Sequence, residues 1–134
     1  MKNLTDKNLY LLFFIILLSC GRKEPEPTNT DIAGKGGSAT LKITPKHHSK
    51  NIDSCTIYIK YNAQDIPNSY DDSIKAVKEN GKPVATFSQL KKGKYYLYGY
   101  GWDTTISNNV KGGIPYTITE EKVHEISLPV TEGD

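Results

Sequence analysis

Residues 80–101 read "NGKPVATFSQLKKGKYYLYGYG", and the fold follows from how that stretch alternates. After the turn signal Asn80-Gly81, Ala85 and Phe87 share one parity, and Leu90 follows them. Period-two alternation over a short run means a strand with one face buried. "KKGK" breaks the run, and Tyr95 and Leu97 then restart it, with Gly99 and Gly101 on the same parity. Leu90 can plug the end of a core, and Gly93 relaxes the turn. Tyr95 can pack its ring inward and send its hydroxyl to a nearby backbone carbonyl, the tyrosine-corner device of β-sandwiches.

The same period recurs on both sides. Ala39, Leu41 and Ile43 share a parity in "ATLKIT", as do Cys55, Ile57, Ile59 and Tyr61 in "CTIYIKY". Downstream, Ile114, Tyr116 and Ile118 alternate, and so do His124, Ile126, Leu128 and Val130. "NGKP", "KKGK", "NNVKGG" and "TEEK" supply turns between the runs. The pattern predicts an all-β, antiparallel sandwich of about seven strands. "DDSIKAVKENG" is ambiguous. Asp71 or Asp72 could cap a helix that Gly81 ends, whereas a strand would give Ser73, Lys75 and Val77 a poor apolar face.

The positions Gly81, Phe87, Leu90, Gly93, Tyr95 and Leu97 resemble the Ig-like, transthyretin-like or carboxypeptidase-regulatory type of β-sandwich. "KHHSKNIDSCTIYIKYN", "YDDS", "KGGIP" and "LPVTE" resemble a group of small bacterial lipoproteins of unknown function. The resemblance implies a strand over residues 71–80 and a place in the cell envelope. It carries no catalytic residues across.

The beginning of the chain agrees with export. The apolar run over residues 9–18 is about half of the ~20 residues that a membrane-spanning helix needs. Lys2 and Lys7 precede it and Ser19 follows, the layout of a secretory signal. Leu17-Leu18-Ser19-Cys20-Gly21 resembles the lipobox of bacterial lipoproteins, in which the cysteine thiol takes a diacylglycerol. The expectation is a signal peptide over 1–19, a lipidated Cys20 opening a flexible tether over 20–37, and a sandwich over 38–134. Two or more acyl chains, at about 0.8 kcal/mol per buried CH₂, anchor a protein to a bilayer without a spanning helix. Gly21 after the cysteine, rather than an aspartate, implies by resemblance the outer membrane, on its periplasmic or surface side.

A formal net charge of +2 offers no basic excess for nucleic acid. With Cys20 acylated, Cys55 is the remaining thiol, so no internal disulfide is expected. Its mid-strand position predicts a buried, inert group.

Two constellations could carry chemistry. With Tyr95, Leu97, Gly99 and Gly101 inward, the aromatics Tyr96, Tyr98, Tyr100 and Trp102 face outward on one strand. Such a face either binds sugar rings or a partner protein, or is covered by a loop and by cross-strand neighbours such as Tyr58. His47 and His48 could share a metal only in a loop, because strand neighbours point to opposite faces. They are expected to be incidental in a solvated turn, with no metal and no cofactor. The expected function is a lipid-anchored, non-enzymatic accessory, binding or structural module of the envelope. The alternative is a carbohydrate- or protein-binding lipoprotein using the aromatic face. A metal-dependent enzyme built on His47, His48 and Asp71 is the third reading.

Overall fold

The computed structural model describes residues 31–133. The expected export segment and Cys20 lie outside the described residues. Strands β1 (Lys35–His47), β2 (Lys50–Asn51), β5 (Val77–Glu79), β6 (Lys82–Leu90) and β9 (Val123–Pro129) form one sheet. Strands β3 (Ser54–Tyr61), β4 (Asp72–Lys75), β7 (Gly93–Asp103), β8 (Asn108–Ile118) and β10 (Thr131–Glu132) form the other. The chain is all-β, and the two sheets pack as a sandwich.

The described residues hold ten strands where about seven were expected, and the difference has a simple origin. The chain leaves the β3 edge for the β6 edge at Ala76, which divides one strand into β4 and β5. It leaves β1 for β8 at Val130, which divides another into β9 and β10. The short β2 adds a hairpin to the end of β1. Residues 72–75 and 77–79 are strand, because β4 fills the free edge of β3, setting Ile74 opposite Ile57, and β5 pairs with β6. The sheets are antiparallel, as expected, except for one pair of strands. β9 runs parallel to β1, from Thr40↔Val123 to Lys46↔Pro129, because it enters by crossing over from β8 in the other sheet.

The core follows the sequence parity. Leu41, Ile43, Ile57, Ile59, Phe87, Leu90, Leu97 and Leu128 are fully buried between the sheets. Tyr95 joins them with its ring, while its hydroxyl donates to the Lys91 carbonyl at 2.7 Å and accepts the Gly34 N–H at 3.0 Å. A buried phenol is costly unless its oxygen is satisfied, and these bonds satisfy it.

The sandwich begins before Ser38, the boundary expected from composition. Ala33 packs against Gly93, and its N–H donates to Asn62 Oδ1 at 2.7 Å. Lys35 and Ala39 both lie opposite Leu90, a bulge in the β1–β6 ladder. A Cβ on Gly37 would stand 2.1 Å from the Leu90 carbonyl oxygen. The glycines that read as linker therefore let β1 fold over Leu90.

Tyr95→Phe removes the hydroxyl and strands a buried N–H. It is expected to cost about 1–3 kcal/mol in a urea melt, and Tyr95→Ala about 3–5 kcal/mol. A phenylalanine variant as stable as the parent would show that the hydroxyl does not close this end.

Candidate functional site

The outer face of β7 carries Tyr96, Tyr98, Tyr100 and Trp102 in a row, as the parity predicts, but they differ in exposure. Tyr96 is only 5 % exposed, so the covered alternative applies at this position. It lies across β8, where a Cβ on Gly113 would stand 2.6 Å from its hydroxyl. Tyr98 is half-buried. Tyr58 on β3 lies opposite it, and Tyr70 stacks on it with centroids 5.6 Å apart and planes 23° apart. Tyr70 also meets Tyr58 at 5.4 Å.

Tyr70 comes from residues 62–71, the segment between β3 and β4. Asp71 pins its end. The Asp71 N–H donates to the Ile59 carbonyl at 2.9 Å, and its carboxylate accepts the Tyr61 N–H at 2.7 Å and pairs with Lys60 at 3.2 Å. The Tyr61 N–H, assisted by Lys60, holds the Asp71 carboxyl below the usual carboxylate range.

Further along β7 the cover ends. Tyr100 stays 45 % exposed and Trp102 43 % exposed. Their cross-strand neighbours are Thr56 and Lys111 for Tyr100, and Ser54 and Asn109 for Trp102. None of these is aromatic. Ser54, Thr56, Lys75 and Asn109 edge a shallow groove beside the two rings. Two flat apolar faces thus sit among hydroxyl, amide and ammonium groups.

A second cluster lies where β1, β7 and β10 end together. His47 is not in a solvated turn: it continues the inward parity of β1 and is 2 % exposed. Its Nδ1 lies 2.7 Å from Asp103 Oδ2, and Asp103 Oδ1 accepts the Thr105 N–H at 2.8 Å. Asp103 is itself buried and continues the inward parity of β7. The hydrogen bond to Asp103 raises the proton affinity of His47 against the effect of burial, and Glu132 adds to it. His47 in turn holds Asp103 below the usual carboxylate range. His47 Nε2 lies 3.2 Å from Glu132 Oε2 but outside hydrogen-bond geometry, and it has no hydrogen-bond partner among the described residues. His48 and Ser49 form the two-residue turn into β2, with φ of 45° and 66°.

The other candidates do not join this cluster. Asp71 serves the covering segment, and Asp72 accepts the Ser73 N–H. His124 bonds the Tyr116 hydroxyl and the Glu120 carbonyl. Cys55 is buried, and burial pushes its thiol up to about 11, so it is a poor nucleophile at neutral pH. Sequence reading missed Asp103 and Glu132. The signal for Asp103 was the alternation of β7 carried one step beyond Gly101. Nothing local marks Glu132.

No family model, no curated protein and no solved structure matches the chain. Among the described residues, no helix is long and apolar enough to cross a membrane.

Tyr96→Ala is expected to cost about 3–5 kcal/mol in urea melts, and Tyr100→Ala within about 0.5 kcal/mol. Equal, small losses would mean that residues 62–71 do not seal the face. The depressed folded pKa of Asp71 makes its contribution full above the unfolded value of about 3.9 and lost as pH falls through the folded value. Asp71→Asn should therefore flatten the acid limb of stability against pH. An unchanged limb would remove Asp71 from that role.

Proposed function

We propose that this chain is a lipid-anchored, non-enzymatic binding module of a bacterial cell envelope, and that it presents Tyr100 and Trp102 to carbohydrate. The observation that carries the binding reading is the uneven cover of the β7 face. Residues 62–71 and β8 close over Tyr96 and Tyr98, while the two rings beyond them stay open beside polar groups. Stacking a sugar ring on an aromatic face removes apolar area from water on both sides. Ser54, Thr56 and Asn109 offer the hydrogen bonds that the ring hydroxyls need.

The anchoring reading rests on Leu17-Leu18-Ser19-Cys20-Gly21 and on the apolar run before it. Acylated Cys20 would hold the domain at the outer membrane, on its periplasmic or surface side. The sandwich is of the transthyretin-like kind in this reading. Support comes from where the motif positions fall. Gly81 is in the β5–β6 turn with φ of 77°, Phe87 and Leu90 are in the core, and Tyr95 and Leu97 are buried side by side on the same face.

Trp102 is the chain's only tryptophan, so its emission reports the site directly. In the purified full-length protein it should emit like a partly exposed indole. Its emission should shift on addition of peptidoglycan digest or of chito- or cello-oligosaccharides. Tyr100→Ala should reduce the shift at least tenfold in affinity without moving the melting temperature. Emission that ignores every one of these glycans would overturn the carbohydrate reading. Anchoring is tested separately: Cys20→Ser should abolish incorporation of a fatty-acid analogue, and equal labelling of both proteins would overturn it.

A further inference from the structure

We propose that His47, His48 and Glu132 form a binding site for a divalent transition-metal ion of the zinc class, with Asp103 orienting His47 from behind. One donor atom from each of the three residues lies within 4.8 Å of the other two. The proposal does not depend on the carbohydrate reading, which concerns the outer face of β7.

The observation that carries it is His47 Nε2. The ring is buried, and Nδ1 faces the Asp103 carboxylate at 2.7 Å. A carboxylate can only accept, so Nδ1 carries a hydrogen. In the neutral ring that leaves a lone pair on Nε2, and Glu132 Oε2 lies 3.2 Å from that atom. Two lone-pair atoms at this distance repel unless positive charge lies between them. A proton on Nε2 is one source, and it would make an ion pair with Glu132 outside hydrogen-bond geometry. A metal ion is the other, and it does not have to lie on the line between its ligands. Donors about 2.0–2.2 Å from a tetrahedral zinc ion stand roughly 3.3–3.5 Å apart. The nitrogen–oxygen separation is already close to that value.

His48 reaches the same place because of the turn. On a straight strand it would point away from His47. The positive φ of His48 and Ser49 instead closes a two-residue hairpin that pairs His47 with Lys50. The two imidazoles then stack with centroids 4.0 Å apart and planes 28° apart. Asp103, His47 and the metal would make the carboxylate–histidine–metal arrangement in which the carboxylate fixes the tautomer and raises ligand basicity. Two nitrogens and one carboxylate favour zinc, copper(II) or nickel(II) over magnesium or calcium. Three protein donors leave a fourth position open, and the exposure of His48 and Glu132 gives it access to solvent.

The test is isothermal titration of the untagged, metal-stripped full-length protein with zinc chloride at pH 7.5. One equivalent should bind, and saturation should raise the melting temperature, because binding to the folded state alone stabilises it. His48→Ala and Glu132→Gln change exposed side chains, so both should fold as the parent does and bind zinc at least tenfold more weakly. Asp103→Asn keeps the three donors and should weaken binding by about 10–100-fold. Absence of zinc uptake up to millimolar concentration would overturn the site, as would an affinity indifferent to both His48→Ala and Glu132→Gln. A Glu132→Gln effect on the pH dependence of stability without any zinc uptake would also overturn it, in favour of a proton held between the two side chains.

Discussion

Strand β7 imposes the constraint on which the rest of the molecule depends: its side chains alternate without a break over the whole length of the sandwich. The inward set is Tyr95, Leu97, Gly99, Gly101 and Asp103, and all five are buried. Its apolar middle faces Leu128 and Val130, which approach Gly99 so closely that a Cβ there would stand 2.9 Å from Leu128 Cδ2. Its two ends are polar, and each meets a partner from β1 or the segment leading into it. Tyr95 is tied to Gly34 at one end, and Asp103 to His47 at the other. One strand therefore fixes the spacing of the two sheets and closes both ends of the core.

The outward set inherits its order from the same geometry. Neighbours on β3 and β8, together with the segment over residues 62–71, set how much of each ring meets water. The cover is deepest at Tyr96 and lightest at Tyr100 and Trp102. Function in this account belongs to what the cover leaves open, and folding to what it closes. The Asp103–His47 pair stands one residue beyond Trp102 but on the opposite face. The aromatic surface and the histidine cluster are thus two products of one strand that share no side chain.

Much of this was legible in the sequence, because period-two burial is a local property. The parity of Leu41 and Ile43, of Ile57 and Ile59, and of Tyr95 and Leu97 placed the core, and Tyr95 was readable as a corner from its position after Gly93. Three features were not legible, for different reasons. The glycines before Ser38 look like a linker in composition, yet Gly37 is needed where β1 bulges over Leu90. The alternation read in "ATLKIT" covers residues 39–44, yet β1 runs on through Pro45 to His47 although proline cannot donate to a ladder. Glu132 meets His47 only because the chain changes sheets at Val130, a long-range event that no local pattern records.

The most direct measurement of the two-faced strand is hydroxyl-radical footprinting of the folded protein, with oxidation located by mass spectrometry within the peptide that carries residues 95–102. Four tyrosines and one tryptophan in that short stretch give an internal comparison at equal intrinsic chemistry for the phenols. The account predicts fast oxidation at Tyr100 and Trp102, an intermediate rate at Tyr98, and protection of both Tyr95 and Tyr96. Tyr96 oxidised as fast as Tyr100 would contradict the sealed part of the face. Tyr95 oxidised faster than Tyr100 would contradict the alternation itself.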